Sequence, residues 1–220
     1  MNRRCVRAAL GSLLLGLGAV LPGACTGPTP QPSDVDPGTQ VYCLRGLWDV
    51  FSTGLDELAR KIRAEGIPAV SLSGTAWPDV VDHITKSPAS AAADQQLVLA
   101  GHSFGADDAV NAARLLGRRD IRVPLLVLID ATSPSPIPDN VDRCVHLYLP
   151  NTLGDLAPRA FSGNPVVPAE GNTRTEIVNR PLRPEDVGDA THFNLEGNPF
   201  VQNAVIAEIL RLYRGAGETP

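Results

Sequence analysis

A serine hydroxyl does covalent chemistry only when the chain holds it clear of its own structure and a base stands close enough to take its proton. The run Gly101-His102-Ser103-Phe104-Gly105 meets the first condition. Residues 96–100 precede it and read as a strand. Residues 106–116 follow as a helix, with Ala109, Val110, Ala113 and Leu116 on one side. The pattern is Gly-x-Ser-x-Gly in a strand–turn–helix setting. Its spacing has a physical cause. A serine pushed out of so sharp a turn needs strained dihedrals, and the flanking strand and helix then approach closely. Positions two before and two after the serine must therefore lack bulk. Gly101 and Gly105 fill them, and Ala106 is also small.

On these residues the sequence resembles the α/β-hydrolase superfamily of lipases, esterases and thioesterases, over residues 41–213. The run from Gly101 to Asp107 also resembles that of bacterial envelope virulence hydrolases acting on lipids. The superfamily resemblance implies the chain order serine, acid, histidine, and it implies no cofactor and no metal. No Cys or His spacing suited to a metal ion occurs either.

The chain holds four histidines. His102 shares the serine's own turn, a poor position from which to reach the hydroxyl. His83 precedes Ser103. His146 falls inside a predicted strand, where a structural histidine is expected. His192, in Asp189-Ala190-Thr191-His192-Phe193, lies between the last predicted strand and the terminal helix. That is where the resemblance places the base. Two acids compete to orient it. Asp130 ends the strand Val123–Ile129, at the carboxyl edge where ligands gather in such sheets. It resembles the acid of lipases that carry it after the strand next to the nucleophile's. Asp155, one strand later in Asn151-Thr152-Leu153-Gly154-Asp155, is the alternative acid.

A tetrahedral oxyanion needs two backbone N–H donors. One is that of Phe104, at the start of a helix whose end favours negative charge. The other is expected from Arg45-Gly46-Leu47-Trp48-Asp49, with Leu47 as donor and Gly46 either allowing close approach or serving only as a turn glycine. Trp48, Phe51, Trp77 and Phe104 either line an acyl pocket or belong to the core. Asp107 and Asp108 suit the first turn of a helix and need no catalytic role.

The elements around these residues alternate. Strands are predicted over residues 41–45, 67–72, 96–100, 123–129, 144–149 and 176–178, and helices over 55–64, 78–85, 106–116 and 200–213. Residues 123–129 form a continuous apolar run, the mark of a strand buried on both faces. Repeated strand–helix units predict a three-layer α/β/α sandwich with a mostly parallel sheet of about six strands. Residues 151–174 read as a long loop, a lid or simply mobile surface.

Composition sets the boundaries. The 220 residues are 43% hydrophobic and 20% charged, which excludes wholesale disorder. Arg3, Arg4 and Arg7 precede an apolar stretch over residues 8–24, the pattern of an export signal. Cys25 follows Gly23-Ala24, which resembles the bacterial lipoprotein cleavage box and makes Cys25 a lipidation candidate. Ordinary secretion is the alternative. Residues 25–40 then form a tether, 41–214 the folded domain and 215–220 a tail. Without residues 1–24, Lys plus Arg falls from 19 to 16 against 24 acids, so net charge moves from −5 to −8. That argues against nucleic acid as a partner and against an anionic membrane surface. Cys43 and Cys144 either pair in an oxidising compartment or remain buried thiols.

The expectation is a monomeric, exported serine hydrolase of the periplasm or cell envelope, acting on a small-molecule or lipid ester or thioester. An N-terminal lipid would be its attachment to the membrane. An envelope acyltransferase and a non-catalytic lipoprotein binding module are the alternatives.

Overall fold

The central strand Val123–Ile129 is apolar along almost its whole length because helices cover both of its faces. Leu126 and Leu128 point into one core, and Leu125, Val127 and Ile129 into the other. The computed structural model describes residues 31, 34–46, 52–87, 96–150 and 163–215. The expected export signal, Cys25, Leu47, Trp48, Phe51 and Asp155 lie outside these.

Six strands form one sheet: β1 (Val41–Arg45), β2 (Ala69–Ser73), β3 (Val98–His102), β4 (Val123–Ile129), β5 (Val141–Tyr148) and β6 (Glu176–Pro181). Their order is β2-β1-β3-β4-β5-β6, and every neighbouring pair is parallel. The chain steps from β1 out to β2, crosses back to β3, and then moves outward to β6. The reversal falls between β1 and β3, and in sheets of this kind ligands bind at the carboxyl ends beside such a reversal.

The helices are α1 (Gly54–Ala64), α2 (Trp77–Lys86), α3 (Phe104–Gly117), α4 (Pro184–Val187) and α5 (Pro199–Gly215). On α1, Leu55, Leu58, Ala59 and Ile62 form one buried stripe at helical spacing. They share a core with Val201, Val205 and Ile209 of α5. Val80, Val81 and Ile84 of α2 and Ala109, Val110, Ala113 and Leu116 of α3 fill the core on the opposite face. The architecture is therefore the α/β/α sandwich, with a sheet that is wholly rather than mostly parallel.

Boundaries shift where the ladder outruns the hydrophobic signal. β3 ends at His102 because Gly101 and His102 still pair with Leu128 and Ile129. β5 begins at Val141, three residues before its apolar run, because Val141 and Arg143 pair with Val123 and Leu125. The short helix α4 and the 3-10 turns Gly74–Ala76 and Leu195–Gly197 are too brief to carry periodicity. Within the long loop, Pro168 forms an isolated parallel bridge with Ile137.

Cys43 and Cys144 are free and buried. Cys43 faces α1 and α5 while Cys144 faces α2 and α3, so the sheet stands between them and the disulfide alternative falls. Burial pushes each thiol up to about 12.

Candidate active site

Ser103 stands between β3 and α3 with φ 59° and ψ −129°. A non-glycine residue in that region costs on the order of 1–3 kcal/mol and persists only when its surroundings over-determine it. Here they do. The Ser103 N–H donates to the Ile129 carbonyl at 3.0 Å, so the β3–β4 ladder continues into the turn. The glycines permit the rest. A Cβ on Gly101 would lie 2.2 Å from the Gly105 carbonyl oxygen, across the strand–helix contact. A Cβ on Gly105 would lie 2.2 Å from the Leu44 oxygen and 2.5 Å from that of Arg45. The second glycine therefore answers to β1, not to β3 as the sequence spacing suggests.

The same ladder delivers Asp130. His102 pairs with Ile129, which places Ser103 and Asp130 side by side one step beyond the strands. Asp130 turns sharply at φ 45°, and its N–H donates to the Leu147 carbonyl at 2.8 Å. Its carboxylate has two distinct partners. Oδ1 accepts the Leu149 N–H at 3.0 Å, and Oδ2 lies 2.8 Å from His192 Nδ1. A carboxylate oxygen accepts, so Nδ1 carries the proton and Nε2 is the acceptor. Nε2 lies 2.8 Å from Ser103 Oγ. Ser103, His192 and Asp130 thus form one directional chain, hydroxyl to imidazole to carboxylate. Ser103 and Asp130 are about as buried as core residues, with 6% and 5% exposure.

His192 arrives on a loop between α4 and the Leu195–Gly197 turn. The Thr191 N–H donates to Asn194 Oδ1 at 2.7 Å, and the Asn194 N–H returns to the Thr191 carbonyl at 3.2 Å. The histidine's own carbonyl lies 2.8 Å from His102 Nε2.

Among the other predicted residues, Phe104 opens α3, so its N–H has no carbonyl one turn earlier to bond. The residue as a whole is 40% exposed. Gly46 lies close enough to Ser103 that a Cβ on it would meet Ser103 Cβ at 3.1 Å, so its role is close approach rather than a generic turn. Trp77 packs against the α2–α3 core. Asp155 is not needed to complete the hydrogen bonds of Nδ1, because Asp130 supplies them. His146 is buried in β5, accepts the Ala131 N–H at 3.3 Å through Nε2 and stacks on Tyr148. His83 lies on α2, edge-on to Tyr42.

Four residues around the site carry no sequence signal for what they do there. Asp107 accepts the N–H groups of Thr132 at 3.1 Å and Ser133 at 2.9 Å, and the Thr132 hydroxyl. It pins the chain just after Asp130 onto α3, and burial raises its pKa. Ser52, His102 and Glu196 form a buried group beside Ser103 and His192, and His102 is drawn down to about 4 mainly by burial. Among the described residues no group of three or more His, Cys, Asp or Glu is placed to hold a metal ion. No helix among them is long and apolar enough to cross a membrane.

No protein-family model matches the sequence, and no curated protein matches it. Solved structures do. The NocB thioesterase domain from the Nocardicin cluster is similar at 13% identity with a TM-score of 0.52, over 82% of this chain and 97% of that one. An esterase of Pyrobaculum calidifontis is similar at 13% identity and TM-score 0.52, over 83% of this chain and 79% of that one. Lipase B of Aspergillus fumigatus is similar at 12% identity and TM-score 0.52, over 82% of this chain and 55% of that one. At such identities the likeness speaks for the fold alone, which is the α/β-hydrolase fold.

Proposed function

We propose that the protein is an exported serine hydrolase that cleaves a carboxylic ester or thioester through an acyl-enzyme. The observation that carries this reading is the hydrogen-bonded run from Ser103 Oγ through His192 to Asp130, with both links at 2.8 Å. Its position at the carboxyl end of β3 and β4, in a fold shared with thioesterases, esterases and lipases, supports it.

In this reading Ser103 Oγ attacks the acyl carbonyl as His192 Nε2 takes its proton. The imidazolium that forms keeps its Nδ1–H on Asp130, which fixes ring and tautomer and offsets the new charge. Negative charge on the carbonyl oxygen is met by the Phe104 N–H at the head of α3, with Leu47 as the second donor. His192 then returns its proton to the leaving alcohol or thiol. Water, activated by the same Nε2, releases the acid and restores Ser103. The basic, apolar start of the chain and Cys25 support export, with lipid attachment at Cys25 as its envelope form. The low aromatic content and strongly acidic mature charge leave nucleic acid outside the substrate classes.

The direct test is hydrolysis of a short-chain nitrophenyl ester by the native protein and by Ser103→Ala. Loss of turnover to the solution background in a variant that melts like the native protein supports the reading. Undiminished turnover in Ser103→Ala rules it out.

A further inference from the structure

Ser52 is a non-glycine residue with φ 79°, it is buried, and it sits one residue before helix α1's cap. A strained, buried hydroxyl is retained when its bonds require it. Its Oγ lies 2.6 Å from His102 Nδ1 and accepts the Gly46 N–H at 3.2 Å. His102 Nε2 lies 2.8 Å from the His192 carbonyl oxygen. A carbonyl only accepts, so Nε2 carries the His102 proton, Nδ1 is bare, and the Ser52 hydroxyl donates to it. The chain of donors has one direction: Gly46 N–H to Ser52, Ser52 O–H to His102, His102 N–H to the backbone of His192.

This chain ties together the two loops on either side of Ser103. One follows β1 and packs Gly46 against the serine's Cβ. The other carries the base. The Gly46 amide is thereby committed to Ser52.

We propose that Ser52 and His102 are positioning residues for the reaction proposed above, holding His192 and the Gly46 loop in register with Ser103. The proposal rests on that reading of Ser103. The Ser52-to-His102 direction of that chain belongs to a neutral His102. Burial keeps it neutral, with its pKa near 4, and the His192 ring 5.2 Å away acts in the same sense, while the His192 carbonyl and Asp130 act against it and Glu196 Oε2 lies 3.7 Å from Nδ1. Neither residue touches the reacting atoms. Removing one should therefore slow turnover while leaving ground-state binding of a small ester intact.

The test titrates active sites with a fluorophosphonate and then measures kcat and KM per titrated site on a short-chain nitrophenyl ester. Native protein that labels, with Ser103→Ala that does not, secures the premise, and failure there overturns the proposed function itself. Given the premise, Ser52→Ala and His102→Leu should lower kcat per titrated site about tenfold to a hundredfold, the cost of slight misplacement. KM should stay within about twofold. His102→Gln, which keeps a donor for the His192 carbonyl, should retain more activity than His102→Leu. Unchanged kcat per titrated site would show the two residues to be merely structural and overturn the inference. Should the variants fail to fold, nitrogen-labelled histidine spectra of the native protein decide instead. The inference requires His102 as the neutral Nε2–H form at pH 7, and the Nδ1–H form contradicts it.

Discussion

At the carboxyl end of the sheet Ser52, Ser103 and Asp130 adopt positive φ of 79°, 59° and 45°. Their side chains bond in series to imidazoles and to backbone. At the amino end the chemistry is equally rich in polar groups. Arg143 of β5 reaches Glu208 of α5 at 3.0 and 3.2 Å and also pairs with Glu176, while Arg122 pairs with Asp142. A cavity of about 430 Å³ opens there, lined by Gln96, Leu125, Arg143, Glu208 and Arg211 among others. At that end the charges stand in facing pairs, with no hydroxyl and imidazole among them. Opposite full charges cancel each other in pairs, whereas a hydroxyl, a bare ring nitrogen and a carboxylate in series leave a proton with one direction to move. Three of the four non-glycine residues with positive φ among the described residues stand where that series is built; the fourth, Asp120, lies in the turn before β4.

The sharpest contrast is chemical. Asp130→Asn should lower kcat by about a thousandfold to ten-thousandfold, because an amide can stabilise the wrong imidazole tautomer. Arg143→Ala should leave kcat per active site unchanged. Steady-state kinetics on both variants checks this, and comparable losses would break the distinction between the two ends.

Helix α3 spans both ends and sharpens the comparison through its glycines. Gly105→Ala should cost at least about 3 kcal/mol, since its Cβ would collide with the fixed carbonyls of Leu44 and Arg45 at 2.2 and 2.5 Å. Gly117→Ala meets the Asn140 side chain at 2.8 Å, which moves only by loosening its bonds to the Ala113 and Ile121 carbonyls, not against fixed backbone. A helix-propensity gain of about 1 kcal/mol offsets part of that crowding, so the loss should be smaller than for Gly105→Ala. Urea midpoints of the two variants provide the check.

Acid should weaken the site end through its neutral histidines. Burial draws both His102 and His146 from 6.5 down to about 4. Between pH 6.5 and 4 the unfolded chain binds protons that the folded chain does not, so each histidine stabilises the fold above that window and loses this contribution as pH falls through it. The slope is about 1.4 kcal/mol per pH unit for each. Asp108, raised to about 6 chiefly by burial, acts in the opposite sense and offsets part of it. His146→Phe should therefore remove about one proton's worth of slope, read from unfolding free energies at pH 4.5 to 6.5. An unchanged slope would contradict the burial of a neutral His146.

The smallest effect belongs to the amino end. Arg143→Ala should cost about 1 kcal/mol, since its partners Glu176 and Glu208 are partly solvated and such pairs contribute little.

Much of this was legible before the fold was in hand. The alternation of apolar runs with helical stripes at residues 55–62 and 106–116 specifies the layers, because burial on one face or two leaves a period in the sequence. Gly101 and Gly105 mark a turn that only small residues can make. That Ser103, Asp130 and His192 converge follows from chain order once parallel strands stand in register. What remained hidden is non-periodic. Ser52 sits in a segment with no pattern, and its partner His102 shows its role only when the far loop is folded back over it. Asp107 reads as an ordinary first-turn acid because its clamp on Thr132 joins residues adjacent in space but not in sequence. Strand ends at His102 and Val141 depend on ladder partners rather than hydropathy.

The central claim is that Ser103 alone carries the acyl group. Trapping turnover of a nitrophenyl ester by rapid acid quench, followed by mass mapping of the peptides, tests it most directly. A single acyl adduct is expected, on the peptide containing Ser103 and localised to its hydroxyl. An adduct on any other side chain during active hydrolysis would contradict it.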